Sequence, residues 1–293
     1  MSLGRRLFVT LALLLPLALA GGLVWLSIST RRAGDEARTE AEAKAPGPEP
    51  TATSAATPTV GDPGKPLHGK VIVLDPGHNP GNRDHARKIS RSVDIGTGRK
   101  ACDAVGAATN SGYPEAEFTL EVARKTRDLL QERGATVRFT HDADRPYGPC
   151  VDERAKIGNR AEADAAVSIH ADGSAQRNRG FHVIVPASVR RGAADTTGIT
   201  APSRRLGERL VDRFAAATGT EPANYLGEST RSSALVTRGD LGGLNLSRVP
   251  KVFIECGNMR DPQDAALLTD PDWQRKAARG ITDGIAAYLT GKQ

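Results

Sequence analysis

Hydrophobic positions along this chain follow three different patterns. From Leu7 to Ser29 the run LFVTLALLLPLALAGGLVWLSIS carries no charge, with Arg5 and Arg6 before it and Arg31 and Arg32 after it. About 20 apolar residues are what a helix needs to cross a bilayer. Ala18-Leu19-Ala20 fits the small-x-small cleavage pattern of a secretory signal. The apolar run continues past it through Leu23, Val24, Trp25 and Ile28, which favours an uncleaved anchor. Residues 1–32 are therefore a signal peptide or an N-terminal membrane anchor, and on either reading the rest of the chain is exported. Residues 33–67 lack aromatic residues and hold six prolines between Pro46 and Pro66. Such a stretch buries too little apolar surface to offset its ordering entropy, so it reads as a flexible linker. Extended, it spans roughly 100 Å.

From residue 68 to 291 short β-branched runs alternate with helical periodicity. Strands are expected at Lys70–Asp75, Ala135–Thr140, Ala165–Ile169, Gly180–Val185 and Lys251–Glu255. Phe118, Leu120, Val122, Ala123, Thr126, Leu129 and Leu130 repeat at helical spacing between Pro114 and Arg133, and Gly134 stops that helix. Further helices are expected at Asp152–Glu162, Ser203–Thr218 and Trp273–Leu289. This alternation predicts an α/β fold: one catalytic domain with a mainly parallel, twisted sheet of about six strands and helices on both faces. Residues 79–114 and 219–249 interrupt the rhythm. Polar insertions of that length in a compact domain are usually functional or disordered.

Composition narrows the class. The chain has 293 residues, 39% hydrophobic and 25% charged, which excludes full-length disorder, a collagen-like repeat and a polytopic membrane protein. The formal net charge of +6 is weak support for nucleic-acid binding, which is not expected, and suits an acidic surface such as a cell wall equally well. Three cysteines without a CxxC pair argue against a cysteine-only metal site.

Chemistry gathers at strand ends, where active sites of open α/β sheets form. The first strand runs into Asp75-Pro76-Gly77-His78, the third into His170-Ala171-Asp172, and the late one into Glu255-Cys256-Gly257-Asn258. Glu115 opens the first long helix. Two histidines and one carboxylate are a common catalytic zinc set that leaves a fourth position for water.

These motifs resemble the zinc-dependent N-acetylmuramoyl-L-alanine amidases of the Amidase_3 type, actinobacterial members above all, over about residues 70–290. The resemblance is carried in order by VIVLDPGH, PEAEFTLEVARKTRDLLQERGATVRFTHDAD, ERAKIGNRAEADAAVSIHADG and VPKVFIECGN followed by PQDAALL. It implies that His78, Glu115 and His170 hold one Zn2+ and that Glu255 is the catalytic base. It implies hydrolysis of the lactyl amide between N-acetylmuramic acid and the L-alanine of the stem peptide. Glu117 is a rival ligand for Glu115, with a first-turn helix charge as its plainer role. Asp75 either orients His78 or only makes the turn before Pro76. Arg154 and Asn159 can hold their helix against the site. His85, His141 and His182 are not expected to be ligands. The chain departs from the family at Thr140-His141, at Asp172 and at Cys256-Gly257-Asn258, which bears on substrate contacts more than on metal binding.

Export permits disulfides. Pairing Cys102 with Cys150 would pin the first insertion near the active-site face and possible autoinhibition by residues 79–114 follows from that position, while Cys256 reads as an inert buried thiol. Peptidoglycan or muropeptides are the expected partners of a monomer that faces the wall from the membrane, or is secreted or periplasmic if the first segment is cleaved. Two other functions use the same residues: another zinc-dependent peptidoglycan amidohydrolase, and a non-catalytic wall-binding regulator, against which the presence of Glu255 argues.

Overall fold

A computed structural model describes residues 64–291. The expected signal or anchor at 1–32, and the linker up to residue 63, lie outside the described residues. Among the described residues no helix is long and apolar enough to cross a membrane. Leu67, one position ahead of the expected domain start, is already fully buried and donates its backbone N–H to the Arg133 carbonyl at 2.9 Å.

In chain order the elements are β1 (Val71–Pro76), α1 (Ala86–Ile89), β2 (Ser92–Asp94), β3 (Arg99–Ala101), α2 (Glu115–Glu132), β4 (Thr136–Phe139), α3 (Val151–Arg160), β5 (Ala165–Asp172), β6 (His182–Pro186), β7 (Arg190–Arg191), β8 (Ala194–Asp195), α4 (Thr200–Thr218), α5 (Glu228–Ser233), β9 (Leu235–Arg238), α6 (Gly242–Asn245), β10 (Lys251–Asn258), α7 (Pro262–Leu268) and α8 (Pro271–Thr290). Six strands form one sheet in the order β4-β1-β5-β10-β6-β9. All neighbours run parallel except β10 and β6. The expected mainly parallel, six-stranded α/β sheet is what the chain forms.

Alternation along the strands divides the chemistry between the two faces. Ile72 and Leu74 of β1, Val167 and Ile169 of β5, Val183 and Val185 of β6, and Val252 and Ile254 of β10 belong to one large core. That core also holds Phe118, Leu206, Leu210, Phe214, Trp273 and Ile281, so α2, α4 and α8 cover this face. The alternate positions face the other way: Val73 and Asp75; Ala166, Ser168 and His170; Lys251, Phe253 and Glu255. Their apolar cluster is small, with Val73, Ala163, Ala166 and Val249. This face is covered by α3, α6 and the first insertion, and it carries every strand-borne polar group of the candidate site.

Both insertions hold structure that periodicity missed. Residues 79–114 contain the β2–β3 hairpin, and residues 219–249 supply the edge strand β9. These strands are three to four residues long, too short to show an alternation of their own.

Candidate metal centre and active-site cleft

The site forms where β1, β5 and β10 end. After Pro76 the chain turns, and His78 adopts a left-handed backbone, φ 62°, uncommon for a residue with a side chain. Its Nδ1 lies 3.0 Å from the Ala104 carbonyl, which can only accept, so Nδ1 carries the proton and Nε2 is left as the free donor atom. Nε2 stands 3.2 Å from Glu115 Oε2. Pro114, extended at φ −77° and ψ 144°, precedes α2 and places Glu115 on its first residue. The Glu115 carboxylate is pinned by two backbone amides: Ala107 N–H donates to Oε2 at 2.7 Å and Ala171 N–H to Oε1 at 3.2 Å. His170 Nδ1 lies 2.9 Å from Oε1, and its ring stacks on Phe253 with centroids 5.2 Å apart.

One donor atom from each of His78, Glu115 and His170 falls within 4.8 Å of the others. The three open onto a cleft of about 340 Å³ that is also lined by Glu255, Asp172, Arg238, Ile184, Leu241 and Phe253. Glu255 sits directly opposite His170 in the β10–β5 register and opposite His182 in the β10–β6 register.

The charges are set by proximity. Burial works to lower the His78 pKa, but the Glu115 and Asp103 carboxylates overcome it and raise it to about 10. Burial likewise opposes ionisation of Glu115, yet His78 and His170 hold it well below the usual carboxylate range. Glu255 goes the other way: burial, then the negative charges of Glu115 and Asp172, push it well above that range. Two nearby carboxylates thus differ sharply in basicity.

The other expected residues fall into place around this centre. Glu117 lies half exposed and ion-paired with Arg83 at 3.5 Å. Asp75 is buried beneath the site, where its carboxylate receives Arg154 (2.7 Å), Lys251 (2.8 Å), Thr140 (2.7 Å) and Ser168. Arg154 reaches the site backbone, whereas Asn159 ties α3 to Leu246 and Arg248. His141 and His85 bond backbone carbonyls, those of Pro76 and Gly81. Cys102 and Cys150 form a disulfide, and Cys256 is a buried free thiol. Sequence reading missed Asp103, whose carboxylate stands 3.6 Å from His78 Nδ1. Its only signal was the neighbouring Cys102.

The donor chemistry fits a zinc ion. Two imidazole nitrogens and a carboxylate oxygen converge within reach of one cation. The supporting hydrogen bonds, His78 to a carbonyl and Glu115 from two amides, are those that orient metal ligands.

The family profile described as N-acetylmuramoyl-L-alanine amidase (Amidase_3) matches residues 72–287. The N-acetylmuramoyl-L-alanine amidase Rv3717 of Mycobacterium tuberculosis is 37% identical over 241 residues, covering 80% of this chain and 94% of that one. The crystal structure of the amidase Ami1 from Mycobacterium smegmatis superposes with a TM-score of 0.68 at 40% identity, covering 77% of this chain and 98% of that one. The Ami1 structure from Mycobacterium abscessus gives 0.68 at 39% identity, over 75% and 99%.

Proposed function

This chain belongs to the N-acetylmuramoyl-L-alanine amidase family, and from that premise we propose how its own residues hydrolyse peptidoglycan at the bond between N-acetylmuramic acid and L-alanine. The reaction belongs to the folded domain, residues 68–291, acting on the cell wall or on muropeptides. His78, Glu115 and His170 hold one zinc ion, and Glu255 is the catalytic base. The observation that carries this reading is the convergence of those three donor groups within 4.8 Å in a cleft that Glu255 also lines.

Zinc bound there supplies a Lewis acid for the scissile carbonyl and lowers the pKa of a water to about 7. Every other part of the reaction falls to the chain. Glu255 accepts the proton of the attacking water at its carboxylate and returns it to the departing L-alanine amine. Its raised basicity, caused by burial and by Glu115 and Asp172, suits it to that transfer. Phe253 supports the His170 ring from one side, so the imidazole keeps its aim while the carboxylate beside it changes protonation. Ile184, Leu241 and Phe253 supply apolar walls that limit water around the reacting amide.

The test uses a defined muramoyl-tripeptide, with products read by mass. The expected products are an intact muramic acid and a peptide with a new free L-alanine amino group. Activity is lost on chelation and restored by zinc. Glu255→Gln lowers the rate about 10²–10⁴-fold while zinc stays bound. Cleavage at another bond, or a rate indifferent to chelator, overturns the reading.

A further inference from the structure

Arg154 spends its whole hydrogen-bonding capacity beneath the metal centre. A guanidinium has five N–H donors. Here Nε donates to the Pro149 carbonyl at 2.9 Å. Nη1 donates to Asp75 Oδ1 at 2.7 Å and to the Pro76 carbonyl at 2.6 Å. Nη2 donates to the His78 carbonyl at 2.8 Å and to Asp103 Oδ2 at 2.9 Å. The side chains of Arg154 and Asp103 are each only 6% exposed, so neither is offered to substrate.

Asp103 continues the chain of contacts. Its Oδ1 accepts the Ala104 N–H at 2.8 Å and faces His78 Nδ1 at 3.6 Å. The Ala104 carbonyl is the acceptor for His78 Nδ1, and Asn82 donates to the same oxygen at 2.7 Å. So one guanidinium fixes His78 from two directions. It clamps the carbonyl of a residue held at φ 62°, and through Asp103 it fixes the peptide that sets the tautomer of the ring. Backbone held in a sparsely populated region persists only where its surroundings over-determine it.

We propose that Arg154 and Asp103 are a positioning pair for His78: Arg154 anchors Asp103, and Asp103 with the Ala104 carbonyl holds the Nδ1 proton so that Nε2 is presented to the metal. The pair joins a residue of the first insertion to one of α3, and the Cys102–Cys150 disulfide sits next to Asp103 on one side and four residues before Arg154 on the other. Lysine cannot replace Arg154, because one ammonium cannot span acceptors that a planar fork reaches at both edges. This inference rests on the reading of His78 as a metal ligand.

The test measures Zn2+ affinity of the intact protein by competition with a chromophoric chelator, together with the visible spectrum of the Co2+-loaded protein. Substitution of groups that support metal ligands typically weakens metal binding 10–100-fold. Asp103→Ala is expected to show a loss of that size and an altered Co2+ spectrum, together with a lower melting temperature of the metal-free protein, because Arg154 loses a buried carboxylate. Asp103→Asn keeps an acceptor oxygen and should recover part of the affinity. Arg154→Lys should match Asp103→Ala rather than wild type. Unchanged Zn2+ affinity and Co2+ spectrum in Asp103→Ala would overturn the proposal while leaving the metal site itself standing. Absence of Zn2+ binding in the wild type would instead sink the metal reading, and this inference with it.

Discussion

Gly77 lies flat against the imidazole of His170: a Cβ added at Gly77 would stand 2.5 Å from Nδ1 and 2.8 Å from Nε2. No side chain fits between the end of β1 and this ring. Gly77→Ala should therefore displace His170 rather than unfold the sheet. Overpacking of this kind costs about 1–3 kcal/mol. The expected outcome is a modest drop in denaturation midpoint with a disproportionate loss of zinc affinity and amidase activity. Chelator competition beside urea denaturation checks it; full zinc affinity in Gly77→Ala would show that the ring can move without loss.

Much of this site could be read before the fold was known, because strand ends announce themselves. Apolar runs of three to four residues mark β1, β5 and β10, and the polar residues that follow them must come to one edge of a parallel sheet. His78, His170 and Glu255 were legible in that way, and Glu115 through the helix that Pro114 opens. Asp103 was not. It lies in a segment without periodicity, and its importance depends on a tertiary neighbour, Arg154, contributed by another element. Asp75 shows the same limit from the other side. Its place before Pro76 pointed to His78, but β1 alternation sets it on the site face, bonded to Lys251 and Arg154 beneath the metal-site residues. The edge strand β9 was hidden because four residues between Gly227 and Gly239 carry too little pattern.

The disulfide is expected to matter for the site as well as for stability. Cys102 and Cys150 enclose a separation of 48 residues. In the chain-entropy model a loop of that size is worth about 4 kcal/mol. The Cys102→Ser/Cys150→Ser double variant should lose stability of that order, measured by chemical denaturation. It should also lose zinc affinity, because Asp103 adjoins the bridge. Equal zinc affinity in wild type and double variant would separate the disulfide from the site.

Asp75 carries two buried cations. Its carboxylate, 1% exposed, meets Arg154 at 2.7 Å and Lys251 at 2.8 Å. Burial alone would raise its pKa, but Lys251 and Arg154 hold it well below the usual carboxylate range. Breaking a buried ion pair by removing one partner costs about 3–5 kcal/mol, since the remaining charge is left uncompensated. Asp75→Asn is expected to lose at least that much, measured by chemical denaturation near neutral pH. Asp75→Asn with Lys251→Met should recover part of the loss by removing one orphaned cation. Failure of the second change to recover any stability would show that packing of Lys251, and not its charge, is what the site needs.

A separate pH effect belongs to His182 on β6. It is 5% exposed, and its Nδ1 has no hydrogen-bond partner among the described residues. The groups facing it are Asp172 and Arg238, with the Tyr225 ring edge-on at 6.3 Å and Glu255 opposite on β10. Burial lowers its pKa; Asp172 opposes the shift and Arg238 adds to it, leaving a value of about 4. An unfolded histidine titrates near 6.5, so between about 6.5 and 4 the unfolded chain binds a proton at this position that the folded chain refuses. By linkage the folded state then loses stability as pH falls through that window, and the effect is absent above it. Glu255 works in the opposite sense, since its raised pKa makes the folded chain the better proton acceptor as pH falls. The measurement must therefore be a difference: stability of wild type minus that of His182→Asn, followed by urea denaturation from pH 7.5 to 4. The contribution of Glu255 largely cancels. The difference should be flat above pH 6.5 and then fall against the wild type by about 3 kcal/mol. A difference that stays level across the whole range would mean that His182 is protonated in the folded protein at acid pH, held there by Asp172.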